Sequence, residues 1–188
     1  MAQADEMLVG ETLTWQDGAE GVVREADFTL SPNQDLRPDG TVIDLLVIHF
    51  ISLPPGHFGG DAIHQLFTNT LDESADPTLA GLGALRVSSH FLIRRDGHLL
   101  QYVPCDRRAW HAGLSSWRGR NRCNDFSIGI ELEGCETLPF EEAQYRCLQS
   151  LIKALRERYV IADIVGHEHI APGRKIDPGP TFDWARIA

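Results

Sequence analysis

The sequence predicts a mixed α/β fold, in which helices flank a central mixed β-sheet of five to six strands. Three stretches carry that expectation. Asp44–Phe50, DLLVIHF, is an apolar, β-branched run of strand length with no polar alternation, as befits a central strand covered on both faces. Phe126–Gly134, FSIGIELEG, alternates instead: Phe126, Ile128, Ile130 and Leu132 face one side, and Ser127, Gly129, Glu131 and Glu133 the other. Phe140–Tyr159 repeats its apolar residues at helical spacing. Glu141 and Glu142 fall in its first turn and Arg156 and Arg158 in its last, which complements the helix dipole.

The remaining elements follow in chain order. Residues Met1 to about Asp39 are polar and irregular, with strand-like patches at Gly21–Val23 and Phe28–Leu30 and turns at Ser31–Asn33 and Arg37–Gly40. After the Asp44–Phe50 strand comes a Pro/Gly-rich loop, ISLPPGHFGG. A short helix over Asp61–Phe67 follows, N-capped by Asp61, with Ile63, Leu66 and Phe67 on one face. Ser89–Ile93 and Leu99–Val103 flank an Asp96-Gly97 turn and read as a hairpin, with His90 a packed imidazole on its first strand. Asp163–Gly166 reads as a short strand that delivers His167, and Phe182–Arg186 as a terminal turn of helix.

Composition narrows the function classes. The 188 residues are read as one domain (1–188) with a variable N-terminal segment (1–36), and a 43% hydrophobic share suits an ordinary core. A formal charge of −10 argues against broad binding to nucleic acid or acidic lipid, so an anionic ligand must be caught by local arginines. Cys105, Cys123, Cys135 and Cys147 show no CxxC spacing, which fits reduced thiols in a cytoplasmic protein. The N-terminal residues lack the basic start and apolar run of a secretory signal, and no apolar stretch reaches membrane-spanning length.

Chemistry concentrates in Asp163–Pro180, DIVGHEHIAPGRKIDPGP, where Pro172, Pro178 and Pro180 stiffen a loop carrying two histidines, a lysine and an aspartate. Imidazole and carboxylate suit zinc, so His167 and Asp177 are candidate ligands with a third from upstream. His49 stands at the end of its strand on the side of Leu45 and Val47. A lone histidine there is more often packed than ligating, and a His167–His169 pair is a rival ligand set. Spacing alone leaves these alternatives open. Glu131 and Glu133 share a strand face beside Gly129, which leaves space above the sheet, so either is a candidate general base if that face lines a cleft. Trp110, His111 and Trp117, close to Arg118, Arg120 and Arg122, suggest a ligand wall of aromatic faces and cationic forks.

The runs VIHFISLPPGHFGG, VSSHFLIRRDG, QYVPCDRRAWHAG, GRNRCNDFSIGIELEG and GHEHIAPGRKIDPGP resemble, in order, the cytoplasmic anhydro-muropeptide branch of the zinc N-acetylmuramoyl-L-alanine amidase family. Phage lysozyme-type amidases and peptidoglycan recognition proteins share that family. The resemblance spans about Arg37 to Trp184. It implies zinc (Zn2+) held by His49, His167 and Asp177, with Glu131 and not Glu133 as the catalytic glutamate and Lys175 as the catalytic lysine. Arg86 and Arg122 fall where the stem peptide is held, and Trp110 and Trp117 near sugar and peptide. The chain departs at Phe50, where many members carry asparagine, so a substrate hydrogen bond is exchanged for an apolar ring. His169 and Ile176 also vary and receive no role. The implied reaction is cleavage of the lactyl–L-alanine amide of an anhydro-muropeptide by a cytoplasmic monomer, with neither nucleic acid nor membrane as partner. A binding module without catalysis would be expected to lack one of the zinc ligands.

Overall fold

The computed structural model describes residues 12–18 and 20–187. Ten strands occur among them: β1 (Asp27–Phe28), β2 (Gln34–Leu36), β3 (Leu45–Ile51), β4 (Phe91–Ile93), β5 (Leu99–Gln101), β6 (Arg107–Ala109), β7 (Ser116–Trp117), β8 (Arg120–Asn121), β9 (Ser127–Glu133) and β10 (Asp163–Gly166). Three α-helices accompany them: α1 (Ala62–Thr68), α2 (Glu142–Arg158) and α3 (His167–Ile170). Six strands form one mixed sheet in the order β1-β5-β4-β9-β3-β10. The two longest, β3 and β9, pair in parallel at its middle, β10 runs parallel to β3, and only β4–β5 is antiparallel.

Both faces of that sheet are covered, which accounts for the unbroken apolar run of β3. On one face Leu46, Ile48, Ile128, Ile130 and Leu132 meet Cys147, Leu148, Leu151 and Leu155 of α2. On the other, Leu45 and Val47 pack with Ala112, Cys123, Val165 and Ile170, and α1 lays Ile63, Leu66 and Phe67 against Leu92 and Tyr102. At the start of helix α2 the Glu141 amide donates to the Gln144 side-chain oxygen at 3.0 Å. Gln144 is fully buried and donates onward to the carbonyls of Ile93 and Glu133 at 3.2 and 3.0 Å, tying α2 to two strands. Among the described residues no helix is long and apolar enough to cross a membrane.

Several details depart from the sequence reading. Phe126 precedes β9 with φ −123° and ψ 11°, outside the pleat, and so joins Leu45 and Val47 instead of the α2 face. The described part of the polar stretch before Asp39 contributes to the core through Leu13, Val23 and Ala26. The Met1–Glu11 part of the expected variable segment lies outside the described residues. Gln34–Leu36 pairs antiparallel with Arg107–Ala109, a partner some 70 residues away that no local pattern announces. Asp61 does occupy the N-cap of α1, yet its side chain makes no capping bond.

Arg37, expected only as a turn residue, is a structural hub. Its guanidinium donates to the carbonyls of Cys105 (2.9 Å), Asn124 (3.1 Å), Asp125 (2.8 Å) and Ser127 (2.8 Å). Burial pulls its pKa down to about 10, which still leaves it charged at neutral pH. An unmet buried acceptor costs about 1–3 kcal/mol. Arg37→Met is therefore expected to lower unfolding free energy by about 3 kcal/mol or more in urea titrations. A loss under about 0.5 kcal/mol would contradict this role.

Candidate active site

The parallel register of the sheet sets the site. His49 on β3 lies directly opposite Glu131 on β9, and Gly166 at the end of β10 lies opposite Ile48. The next residue, His167, opens α3 and therefore emerges beside His49. Gly166 is required there, because a Cβ would come within 2.6 Å of Pro178. The proline-stiffened loop then folds back: the Glu168 amide donates to the Asp177 carbonyl at 2.9 Å, and those of Arg174 and Lys175 to Ala171 at 3.1 Å.

Three atoms converge as a result. His49 Nδ1 and His167 Nδ1 are 3.0 Å apart, and Asp177 Oδ2 lies 2.9 Å from the first and 3.0 Å from the second. All three residues are buried, and together they form a group that can hold a metal ion. Their donor atoms suit a cation. His167 Nε2 is 3.1 Å from the Ala112 carbonyl, which only accepts, so that nitrogen carries the proton. With the proton on Nε2, the His167 Nδ1 that faces the Asp177 oxygen can offer its lone pair to a metal. Burial would raise the Asp177 pKa, but the His167 and His49 imidazoles beside it hold it below the usual carboxylate range. Burial also lowers His49 to about 4, against the raising effect of Asp177, so His49 is neutral at pH 7. Three potential ligand atoms so close together suit a divalent cation, and two imidazoles with one carboxylate are a zinc-type donor set that leaves a fourth position open.

Beside this triangle, the Glu131 carboxyl is buried and its Oε2 has no hydrogen-bond partner. Burial raises its pKa well above the usual value, Asp177 adds to the rise and Lys175 offsets part of it. A cleft of about 420 Å³ opens over His49, Glu131, His167 and Asp177, with Phe50, Leu85, Trp110, Arg174, Lys175 and Ile176 around it.

The sequence model of the family N-acetylmuramoyl-L-alanine amidase matches residues 39–180. The chain belongs to the N-acetylmuramoyl-L-alanine amidase family. A curated relative, the 1,6-anhydro-N-acetylmuramyl-L-alanine amidase AmpD of Citrobacter freundii, is 58% identical over 170 residues, covering 89% of this chain and 91% of its own. The crystal structure of a selenomethionine derivative of AmpD superposes with a TM-score of 0.87 at 59% identity, over 89% of this chain and 95% of that one. The amidase AmiD of Escherichia coli, solved in complex with the substrate anhydro-N-acetylmuramic acid-L-Ala-D-gamma-Glu-L-Lys, gives a TM-score of 0.57 at 36% identity. That match covers 80% of this chain and 59% of AmiD.

In this amidase, seven of the ten residues singled out from the sequence border the cleft: His49, Phe50, Trp110, Glu131, His167, Lys175 and Asp177. Arg86 is exposed just outside, its guanidinium bonded to the Gly83 and Leu85 carbonyls, while its neighbours Leu85 and Val87 line the wall. Trp117 and Arg122 do not line it. Trp117 Nε1 donates to Asp163 at 2.9 Å, and Arg122 pairs with Asp125 at 3.2 Å. Arg118 and Arg120 are likewise paired, with Asp163 and Asp44 at 2.8 and 2.6 Å. The expected cationic wall is thus tied to carboxylates of its own chain, and only Trp110 and His111 of that segment face the cleft.

The alternative groups are also occupied elsewhere. His169 Nδ1 accepts from the Gly166 amide at 2.8 Å and its ring lies 5.4 Å from that of Trp184, so it is no partner for His167 in a metal site. Glu133 accepts from the Gly59 amide (2.6 Å), the Arg95 amide (3.2 Å) and Arg94 (3.2 Å), leaving Glu131 as the uncommitted carboxyl. The space above Gly129 is filled by the His111 ring, 2.5 Å from where a Cβ would stand. Arg174, given no role in the sequence reading, reaches the carbonyls of Ala112 and Leu114 at 2.9 and 2.5 Å.

His90 is fully buried, accepts from the Gly129 amide through Nδ1 at 3.0 Å and donates through Nε2 to the Arg107 carbonyl at 3.1 Å. Burial first, and the Arg37 charge second, lower its pKa well below the ordinary value. Below about pH 6.5 the unfolded chain binds a proton that the folded chain refuses, so stability falls as pH falls. His90 alone is expected to remove about 1.4 kcal/mol between pH 7.5 and 5.5. In metal-free protein, urea midpoints over that range should fall less steeply for His90→Gln than for the native chain. Equal slopes would show that His90 does not titrate on unfolding.

Proposed function

We propose that this chain is a zinc-dependent N-acetylmuramoyl-L-alanine amidase that hydrolyses the amide between the lactyl group of anhydro-N-acetylmuramic acid and the L-alanine of the stem peptide. The reading extends to one domain acting as a monomer in cytoplasmic recycling of muropeptides. The observation that carries it is the unpartnered Glu131 Oε2 beside three converging potential ligand atoms on the wall of an open cleft. The AmpD and AmiD names add the substrate class.

His49, His167 and Asp177 would hold the zinc. When bound there, zinc lowers the pKa of water toward ~7 and polarises the scissile carbonyl. Glu131 supplies the base. Its free oxygen can take the proton of the attacking water, and its raised pKa lets it keep that proton until the amine departs. Lys175 places a positive charge in the same cleft, where it stabilises the oxyanion that forms as the amide carbonyl is attacked. The carbon–nitrogen bond then breaks, with the proton passing from Glu131 to the alanine nitrogen.

The cleft walls select the substrate. Trp110 offers a flat face and Phe50 an apolar one to the sugar and lactyl groups, and Arg86 stands at the edge where a stem-peptide carboxylate would pass. Trp117 and Arg122, which the resemblance also assigns to the substrate, stand outside this cleft, bonded to Asp163 and Asp125.

Glu131→Ala should keep one zinc per chain while turnover of anhydro-muropeptide falls at least ~100-fold, with mass spectrometry reporting anhydro-muramyl sugar and free stem peptide. Full-rate cleavage by Glu131→Ala would remove that residue from the mechanism. Muropeptide binding without cleavage by the zinc-loaded native chain would make it a binding module instead.

A further inference from the structure

Each ligand histidine has a second ring nitrogen facing away from the metal triangle, and the proton on that nitrogen decides what Nδ1 offers. The deduction for His49 starts from a backbone carbonyl. The Ser127 hydroxyl donates to the Cys123 carbonyl at 2.6 Å, so its oxygen is left to accept. His111 Nε2 lies 3.2 Å from that oxygen and therefore carries a proton. With that proton on Nε2, the His111 ring presents Nδ1 as its accepting nitrogen toward His49, whose ring stands edge-on to it at 5.0 Å. That acceptor is 2.9 Å from His49 Nε2. His49 must donate to it, which leaves His49 Nδ1 unprotonated and aimed at Asp177 and His167.

The partner of the other ligand is the next residue in the chain. His167 Nε2 donates to the Ala112 carbonyl at 3.1 Å, which Arg174 also meets at 2.9 Å. The amides of His111 and Ala112 both donate to a single atom, Asn124 Oδ1, at 3.1 and 2.8 Å. Asn124 is itself anchored, since its carbonyl accepts from Arg37. Gly129 provides the clearance the arrangement needs, as any Cβ there would strike the His111 ring.

We infer that the two-residue segment His111–Ala112, clamped by Asn124, is the outer support that fixes the metal-facing tautomer of both ligand histidines. His111 acts through its imidazole, Ala112 through its carbonyl, and Asn124 is a positioning residue for both. The inference rests on the proposed metal site but goes beyond it, because it assigns function to residues outside the three ligands.

The experiment is zinc affinity by chelator competition on the native chain and four variants, with the visible spectrum of the cobalt-substituted protein as a second readout. His111→Phe keeps a ring but strands the His49 proton, and should weaken zinc binding about 10- to 100-fold and shift the cobalt bands. His111→Asn keeps an acceptor near the Nδ1 position and should recover part of that loss. Asn124→Ala should weaken zinc several-fold, whereas Asn124→Asp, which retains the accepting oxygen, should bind as the native chain does. Urea unfolding of the metal-free variants separates altered folding from altered affinity. Native zinc affinity in a folded His111→Phe protein overturns the inference, and if that variant does not fold, native affinity in Asn124→Ala does so. Failure of the native chain itself to bind zinc would instead overturn the metal site.

Discussion

The parallel pairing of β3 with β9 and β10 is the constraint on which the rest of the molecule depends. It is fixed by the apolar face packed on α2, where Leu46, Ile48, Ile130 and Leu132 must all point the same way. Side chains alternate across a strand, so a one-residue slip would put His49 into that core and Ile48 into the cleft. Held in register, His49 faces Glu131 across the ladder and His167 emerges from the neighbouring strand. The site is thus a consequence of hydrophobic packing on the opposite side of the sheet.

Many polar groups are buried around the site, and most of them have a partner. Arg37 collects the carbonyls of Asn124, Asp125 and Ser127, His90 takes the Gly129 amide, and Asn124 holds His111 and Ala112. In a medium of low dielectric such bonds are strong when made and costly when missing, which makes the network rigid. Against that background the unmet oxygen of Glu131 stands out. Its raised pKa follows from the same burial that leaves it without a partner.

Local pattern carried the framework. The β3 run, the alternation of β9 and the periodicity of α2 appear within a residue or two of their expected ends, since each has enough apolar residues to declare its period. Pairings made at long range did not show. β2 finds β6 across some 70 residues, and Arg118, Arg120 and Arg122 look free in sequence but meet Asp163, Asp44 and Asp125 in space. The site was legible for a different reason. His49 and His167 are 118 positions apart, and spacing could not choose between His49 and His169 as the partner. The resemblance to amidases made that choice, and the Gly166 amide bonded to His169 supplies its physical basis. His111 escaped notice as a support because the gap over Gly129 and the ring that fills it belong to different segments.

The claim beneath all of this is that His49, His167 and Asp177 bind one ion together. X-ray absorption at the zinc edge of the stoichiometrically loaded protein addresses it directly. The account requires two imidazole nitrogens among light-atom ligands at about 2.0 Å, with no sulfur at the ~2.3 Å typical of cysteine. A spectrum with a single imidazole, or with a sulfur shell, would contradict it.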